Sequence, residues 1–256
     1  MEKSLAGMKI VNFGDSIFGK SRPPKDISTF IEEYTGAETY NIGFGGCRMS
    51  DDFPYPHFNR FSMYQLAEAV AKNDYSLQDE AFLLDPLDEA LPEYFTEALD
   101  TLKGIDFSKA DTIITIAYGT NDYTAAKRLE GDGKYDITSF GGALRYSIEK
   151  IREAYPDLNI VICSQTYRYW RENGIAVSDS NTRVIGGRTL VDFVKKTEEI
   201  AREYGLFYID NYYGPVINES NRDICFSETD GTHPLVPGLK LIAKNISNEL
   251  IKRFGR

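Results

Sequence analysis

Short apolar runs and longer amphipathic stretches alternate along most of the chain. Ile10, Val11 and Phe13 form a compact run bounded by glycines, the pattern of a strand buried on both faces. Thr39-Tyr40-Asn41-Ile42, residues 111–117, residues 159–163 and Leu206-Phe207-Tyr208-Ile209 repeat it. Between these runs apolar side chains recur at helical spacing. Ile27, Phe30 and Ile31 do so within 26–34, Tyr64, Leu66, Ala67 and Val70 within 61–72, and a further helix is expected over 94–102. Phe140, Leu144, Ile148 and Ile151 mark another, Leu190 to Tyr204 one closed by Gly205, and Leu239, Ile242, Ile246 and Leu250 a last one over 235–253. Strands alternating with helices predict an α/β fold with a mostly parallel sheet covered on both faces.

The region from Cys47 to Ala110 is least regular. Residues 51–57 read as a loop, and Leu83-Leu84-Asp85-Pro86 and Ala90-Leu91-Pro92 interrupt any longer element. It is expected to be an elaborated crossover, at about 47–110, lying over one edge of the sheet. No linker or repeat divides the 256 residues, so a single domain over 1–256 is expected.

Charge narrows the partners. A formal net charge of -10 with no basic run argues against a nucleic-acid backbone. Cys47, Cys163 and Cys225 are odd in number and widely spaced, which fits buried free thiols rather than disulfides or a zinc site. The N-terminus lacks the apolar core of a signal peptide and no stretch is long enough to span a bilayer, so a cytoplasmic protein without membrane contact is expected. A trimmed secretory protein would read the same way.

In parallel sheets ligands bind beyond the carboxyl ends of the strands, so the residues there carry the candidate chemistry. The first such turn supports two readings. Gly14-Asp15-Ser16 puts a serine nucleophile on a tight turn, whereas Gly14 to Ser21 also fits G-x-x-x-x-G-K-[ST], the phosphate-cradling P-loop. A P-loop needs its lysine and serine in the first turn of a helix. Here Arg22-Pro23-Pro24 follows at once, and a proline drives its predecessor out of the α region. Gly19-Lys20-Ser21 is therefore expected to be an accidental echo, and a nucleotide-binding protein is the alternative to a hydrolase.

Only two histidines are present. His57 takes the ordinary structural reading. His233 sits in Asp230-Gly231-Thr232-His233, where an aspartate three residues ahead can hold Nδ1 and leave Nε2 to accept a proton. Gly119-Thr120-Asn121-Asp122 follows the clearest strand, and its asparagine can either aim an N–H at an oxyanion or close an Asx-turn. Asn41 to Gly46 supplies glycines that let a backbone N–H approach a ligand.

Taken together and in order, Gly14-Asp15-Ser16, Asn41 to Gly46, Gly119-Thr120-Asn121-Asp122 and Asp230-Gly231-Thr232-His233 resemble the four diagnostic blocks of the SGNH, or GDSL-type, hydrolases. The resemblance covers about residues 9–253. It implies a three-layer α/β/α sandwich with a five-stranded parallel sheet, flavodoxin-like in architecture. It also implies Ser16 as nucleophile, His233 as general base and acid, and Asp230 as its orienting partner. The implied oxyanion donors are the backbone N–H groups of Ser16 and Gly46, with Gly45 as fallback, and the Asn121 side chain. No metal or other cofactor is implied. The 72 residues between Gly46 and Gly119 exceed what a compact member needs, which predicts an unusual pocket wall.

The expected reaction is hydrolysis of a small-molecule or carbohydrate ester through an acyl-enzyme. Rings and guanidinium groups after the fourth strand, Tyr167-Arg168-Tyr169-Trp170-Arg171, suit sugar rings, although a loop packing its own aromatics explains them equally. Arg48, Tyr118, Tyr123, Tyr167 and Trp170 are the candidate substrate contacts, with Tyr212 and Tyr213 as further candidates. Short-acyl esters, such as acetyl esters of carbohydrates, are favoured over the longer chains of a lipase or thioesterase.

Overall fold

Five strands pair in parallel in the order β2-β1-β3-β4-β7. The computed structural model describes residues 4–51, 55–84, 90–173 and 175–256. Strand β1 (Lys9–Gly14) is followed by a one-turn helix α1 (Ser16–Gly19), helix α2 (Ile27–Thr35) and strand β2 (Glu38–Gly43). Asp26 starts α2 by accepting the Ser28 and Thr29 N–H groups, the ordinary way of satisfying orphan donors at a helix start. The crossover to β3 holds α3 (Pro56–Asn59), α4 (Met63–Lys72), α5 (Ser76–Ala81) and α6 (Tyr94–Lys103). Part of the loop expected at 51–57 and part of the break at 83–86 lie outside the described residues.

Strand β3 (Thr112–Ala117), α7 (Thr120–Thr124), α8 (Phe140–Ala154) and β4 (Asn159–Cys163) come next. A two-stranded antiparallel ribbon, β5 (Tyr169–Glu172) and β6 (Ile175–Asp179), precedes α9 (Leu190–Glu203) and β7 (Phe207–Ile209). Helices α10 (Arg222–Cys225) and α11 (Val236–Phe254) end the chain. Among the described residues no helix is long and apolar enough to cross a membrane.

The strand order sets the layers. From β1 the chain first steps one way to β2, then the other way to β3, β4 and β7. Right-handed crossovers in opposite directions put their helices on opposite faces. Helix α2 accordingly packs with α11, while α4 packs on α8 and α8 on α9. Every residue of β1 from Ile10 to Gly14 is buried, which is why the strand reads as an unbroken apolar run apart from Asn12. That side chain is satisfied inside the sheet: it donates to Ser28 Oγ at 2.9 Å and accepts from Thr115 Oγ1 at 2.8 Å. The crossover 47–110 does more than cover an edge. Helix α6 lies on the edge strand β2, but α4 joins the helical layer against α8.

The reversal of direction at β1 opens a crevice at its carboxyl end. Ser16 stands there, two residues past Gly14, whose partners in register are Gly43 and Ala117.

Candidate active site

Asp15 builds the turn that presents Ser16. Its backbone is extended and its carboxylate accepts the Ile17 N–H at 3.0 Å, which starts α1. As the first residue of that helix, Ser16 has a backbone N–H without an intrahelical acceptor. Helix α1 then runs into β2 backbone to backbone. A Cβ on Gly19 would lie 2.4 Å from the Gly43 carbonyl oxygen, and one on Gly43 2.4 Å from the Gly19 nitrogen. Gly19 is thus required by packing against β2, which accounts for a glycine here without a phosphate loop.

Asn41 fastens the same corner. Its side chain donates to the Phe18 carbonyl at 2.9 Å and accepts the Gly43 N–H at 3.1 Å.

His233 comes from the turn before α11. Its Nδ1 lies 2.7 Å from Asp230 Oδ2 and its Nε2 2.9 Å from Ser16 Oγ. Asp230 also accepts the backbone N–H groups of Thr232 and His233. Burial pushes its carboxyl up, but the bonds from His233 and these N–H groups outweigh that and hold it at about 2. Asp230 therefore stays ionised and keeps the proton on Nδ1, leaving Nε2 as an acceptor for the serine hydroxyl.

Lys20 has a place in this site that the sequence does not mark. Its Nζ sits 3.3 Å from His233 Nδ1 and 3.5 Å from Asp230 Oδ2, with its side chain 59% exposed. With Nδ1 protonated the lysine cannot donate to the ring, so it shares the carboxylate instead.

The facing wall is set by buried Asp122. Its carboxylate accepts the Met49 and Ser50 N–H groups at 2.9 and 3.0 Å and the Ser50 hydroxyl at 2.6 Å. That fixes the segment after Gly46, whose φ of +78° is open to glycine at little cost. Asn121 donates one amide proton to the Cys47 carbonyl at 2.8 Å, and an amide has a second to offer. The Gly45 N–H is taken by Tyr94 Oη at 2.9 Å. Among the described residues no acceptor meets the N–H of Ser16 or of Gly46. Of the two glycines, Gly46 is the one with its donor unoccupied.

Ser16, His233, Gly46 and Asn121 line one cavity of about 540 Å³, together with Lys20, Arg48 and four residues of the crossover, Tyr55, Phe58, Pro92 and Tyr94. Burial drives the Tyr94 hydroxyl up to about 12, against the opposing effect of the Gly45 N–H. Among the five candidate substrate contacts Arg48 alone lines this cavity. Tyr118 and Tyr123 are core residues; Tyr123 donates its hydroxyl to the Arg183 carbonyl. Trp170 has the guanidinium groups of Arg168 and Arg183 over its ring, 4.5 and 4.8 Å from the ring centre. Tyr167 lines a separate cavity with Tyr212 and Tyr213. His57 is buried in α3, as its structural reading expects, and all three cysteines are buried and free.

No local signal in the sequence brings Lys20, Tyr55, Phe58, Pro92 and Tyr94 to this cavity. Only the length of the crossover hinted that it would supply a wall. Residues 169–172 form a strand of the antiparallel ribbon rather than the loop that is one of the two readings for 167–171, and Asn173-Gly174 between two β-rich runs is a hairpin signal in the sequence.

The sequence model of the GDSL-like lipase/acylhydrolase family matches residues 10–246. No curated protein sequence matches the chain. Solved structures similar to it include a possible lipase from Chitinophaga pinensis, with 18% identity and a TM-score of 0.59, covering 96% of this chain and 98% of that one. An Enterococcus faecalis lipase/acylhydrolase shares 15% identity and a TM-score of 0.55, covering 97% of both chains. The aryl esterase of M. smegmatis shares 14% identity and a TM-score of 0.58, covering 96% of this chain and 99% of that one.

Proposed function

The chain belongs to the GDSL-like lipase/acylhydrolase family, the SGNH serine hydrolases that act on ester bonds, and from that premise we propose that Ser16, His233 and Asp230 carry the reaction and that its substrates are short-acyl esters. The observation that carries this reading is the unbroken line of hydrogen bonds from Ser16 Oγ through His233 to Asp230, 2.9 and 2.7 Å long.

His233 Nε2 takes the Ser16 proton as Oγ bonds to the ester carbonyl carbon, and the carbonyl π electrons move onto oxygen. The oxyanion is met by the N–H groups of Ser16 and Gly46 and the second amide proton of Asn121. Collapse breaks the bond to the alcohol oxygen, which leaves with the proton held on Nε2. Water then gives its proton to the same nitrogen, adds to the acyl-enzyme, and the acid leaves as Ser16 recovers its proton. Asp230 keeps its charge throughout and stabilises the imidazolium between steps.

A short acyl group and a polar alcohol suit the cavity. Lys20, Arg48, Asn121 and His233 give its lining a polar side, while Tyr55, Phe58 and Tyr94 supply rings. Acetyl esters of carbohydrates combine these two requirements.

Hydrolysis of 4-nitrophenyl acetate by wild type, Ser16→Ala and His233→Ala tests the assignment. Loss of at least about 10³ in kcat in each variant is expected. Wild-type rates in both variants, or a serine-directed phosphonate that labels a different residue, would refute it. Acetylated sugars assayed against butyryl and octanoyl esters test the substrate class, with kcat/KM expected to fall as the chain lengthens.

A further inference from the structure

A second cavity, of about 490 Å³, shares no lining residue with the first. Tyr167, Tyr212 and Tyr213 form its aromatic side, and Asn181, Asn218, Glu219 and Ser220 its polar side. It stands at the same carboxyl edge of the sheet as Ser16. Tyr167 follows β4 and Tyr212 and Tyr213 follow β7, two and three strands across from β1. Neighbouring strands lie about 5 Å apart, so a ligand that reaches from the end of β1 to those of β4 and β7 is an oligosaccharide rather than a monosaccharide.

The walls are built before any ligand arrives. Asp210 accepts the backbone N–H groups of Tyr212 and Tyr213 at 2.8 and 2.9 Å, and Asn245 donates to the Asp210 carbonyl and to Asn211 Oδ1. Opposite them, Asn218 Oδ1 accepts the Ser220 N–H and hydroxyl, and Asn221 Oδ1 accepts the Asn218 N–H.

Two of the tyrosines are buried and tied. Tyr212 donates to Asn181 Oδ1 at 2.9 Å and Tyr167 to Asp179 at 3.2 Å. Tyr213 is different: it stands edge to face on Tyr212 and is 63% exposed. A large aromatic ring on a backbone fixed by Asp210, yet left to water, is poor packing and a good platform. Amide, hydroxyl and carboxylate groups around such a ring match a ligand rich in hydroxyls.

We propose that this cavity is a carbohydrate-binding subsite, which holds a sugar unit of the same oligosaccharide whose ester lies at Ser16. It deepens the ester-hydrolase reading, on which its link to turnover rests, while sugar binding can be measured without turnover.

Calorimetric titration with unacetylated xylotetraose, cellotetraose and chitotetraose tests it. Wild type is expected to bind at least one of them, Tyr213→Ala to bind it about five- to tenfold more weakly, and Tyr213→Phe to restore binding. In turnover, an acetylated tetrasaccharide is expected to show a lower KM than its acetylated monosaccharide. Tyr213→Ala should raise the tetrasaccharide KM by the same factor. Binding of no tetrasaccharide, or equal binding by wild type, Tyr213→Ala and Asn218→Ala, overturns the subsite even if esters are hydrolysed. Tetrasaccharide binding that depends on Tyr213, in a protein that hydrolyses no ester, supports the subsite and refutes the hydrolytic assignment instead.

Discussion

Asp15, the residue before the proposed nucleophile, makes a measurable stability prediction. Burial pushes its carboxyl up to about 7 from 3.8; Asp122 adds to the rise, while the Ile17 N–H and the Arg168 charge oppose it. Below pH 3.8 the group is protonated whether the chain is folded or not, and it contributes nothing. As pH rises the unfolded chain ionises first, so stability falls until about pH 7, where the folded chain ionises too. About three pH units of separation correspond to a loss on the order of 4 kcal/mol. Asp15→Asn keeps an oxygen for the Ile17 N–H but cannot ionise. Any fixed cost of the extra amide N–H is the same at every pH and cancels between them. Urea unfolding of both proteins at pH 4, 6 and 8 reads the effect directly. The difference between variant and wild type should move in favour of the variant by about 4 kcal/mol from pH 4 to pH 8, or roughly 10 °C in Tm for a chain of this size. A difference that stays constant within about 1 kcal/mol across that range would show the Asp15 carboxyl ionised in the fold, contrary to this reasoning.

Other perturbations test the site around it. Asn121→Ala removes a proposed oxyanion donor and should lower kcat for 4-nitrophenyl acetate by on the order of 10²–10³ with little change in KM; an unchanged kcat removes Asn121 from that role. Gly43→Ala drives a methyl group to 2.4 Å from the Gly19 backbone nitrogen, so chemical denaturation should show a loss of about 1–3 kcal/mol or more, and wild-type stability would disprove the close approach. Tyr94→Phe leaves the Gly45 N–H without its acceptor, at a cost of about 1–3 kcal/mol. If Gly46 rather than Gly45 serves the oxyanion, freeing the Gly45 N–H should leave kcat within about tenfold of wild type, and a gain of about 10² or more would implicate Gly45.

Residues of the sheet and of the strand-end motifs were legible because their signals are local. Ile10 to Phe13 and Thr112 to Ala117 announce buried strands by composition alone, and parallel strands deliver whatever follows them to a single edge. The one-turn helices were not legible, since four residues such as Ser16–Gly19 carry no periodicity to read. Nor were the fates of the aromatics. Tyr123 and Tyr94 look alike in the sequence, yet one is sealed in the core and the other caps Gly45 in the cavity wall.

From the sequence alone came the order of the blocks, the α/β architecture and the pairing of Asp230 with His233, a contact only three residues long. Tertiary structure decided what surrounds them. Lys20 reaches His233 across 213 positions, and the crossover brings Tyr55, Phe58, Pro92 and Tyr94 to the cavity of Ser16. Such meetings follow from how helices and loops pack against the sheet, and no periodicity within a ten-residue window encodes that. The turn after the first strand joins the two levels. Its serine is marked by its neighbours in sequence, while its glycine and lysine take their meaning from Gly43 and His233, which only the packed chain brings within reach.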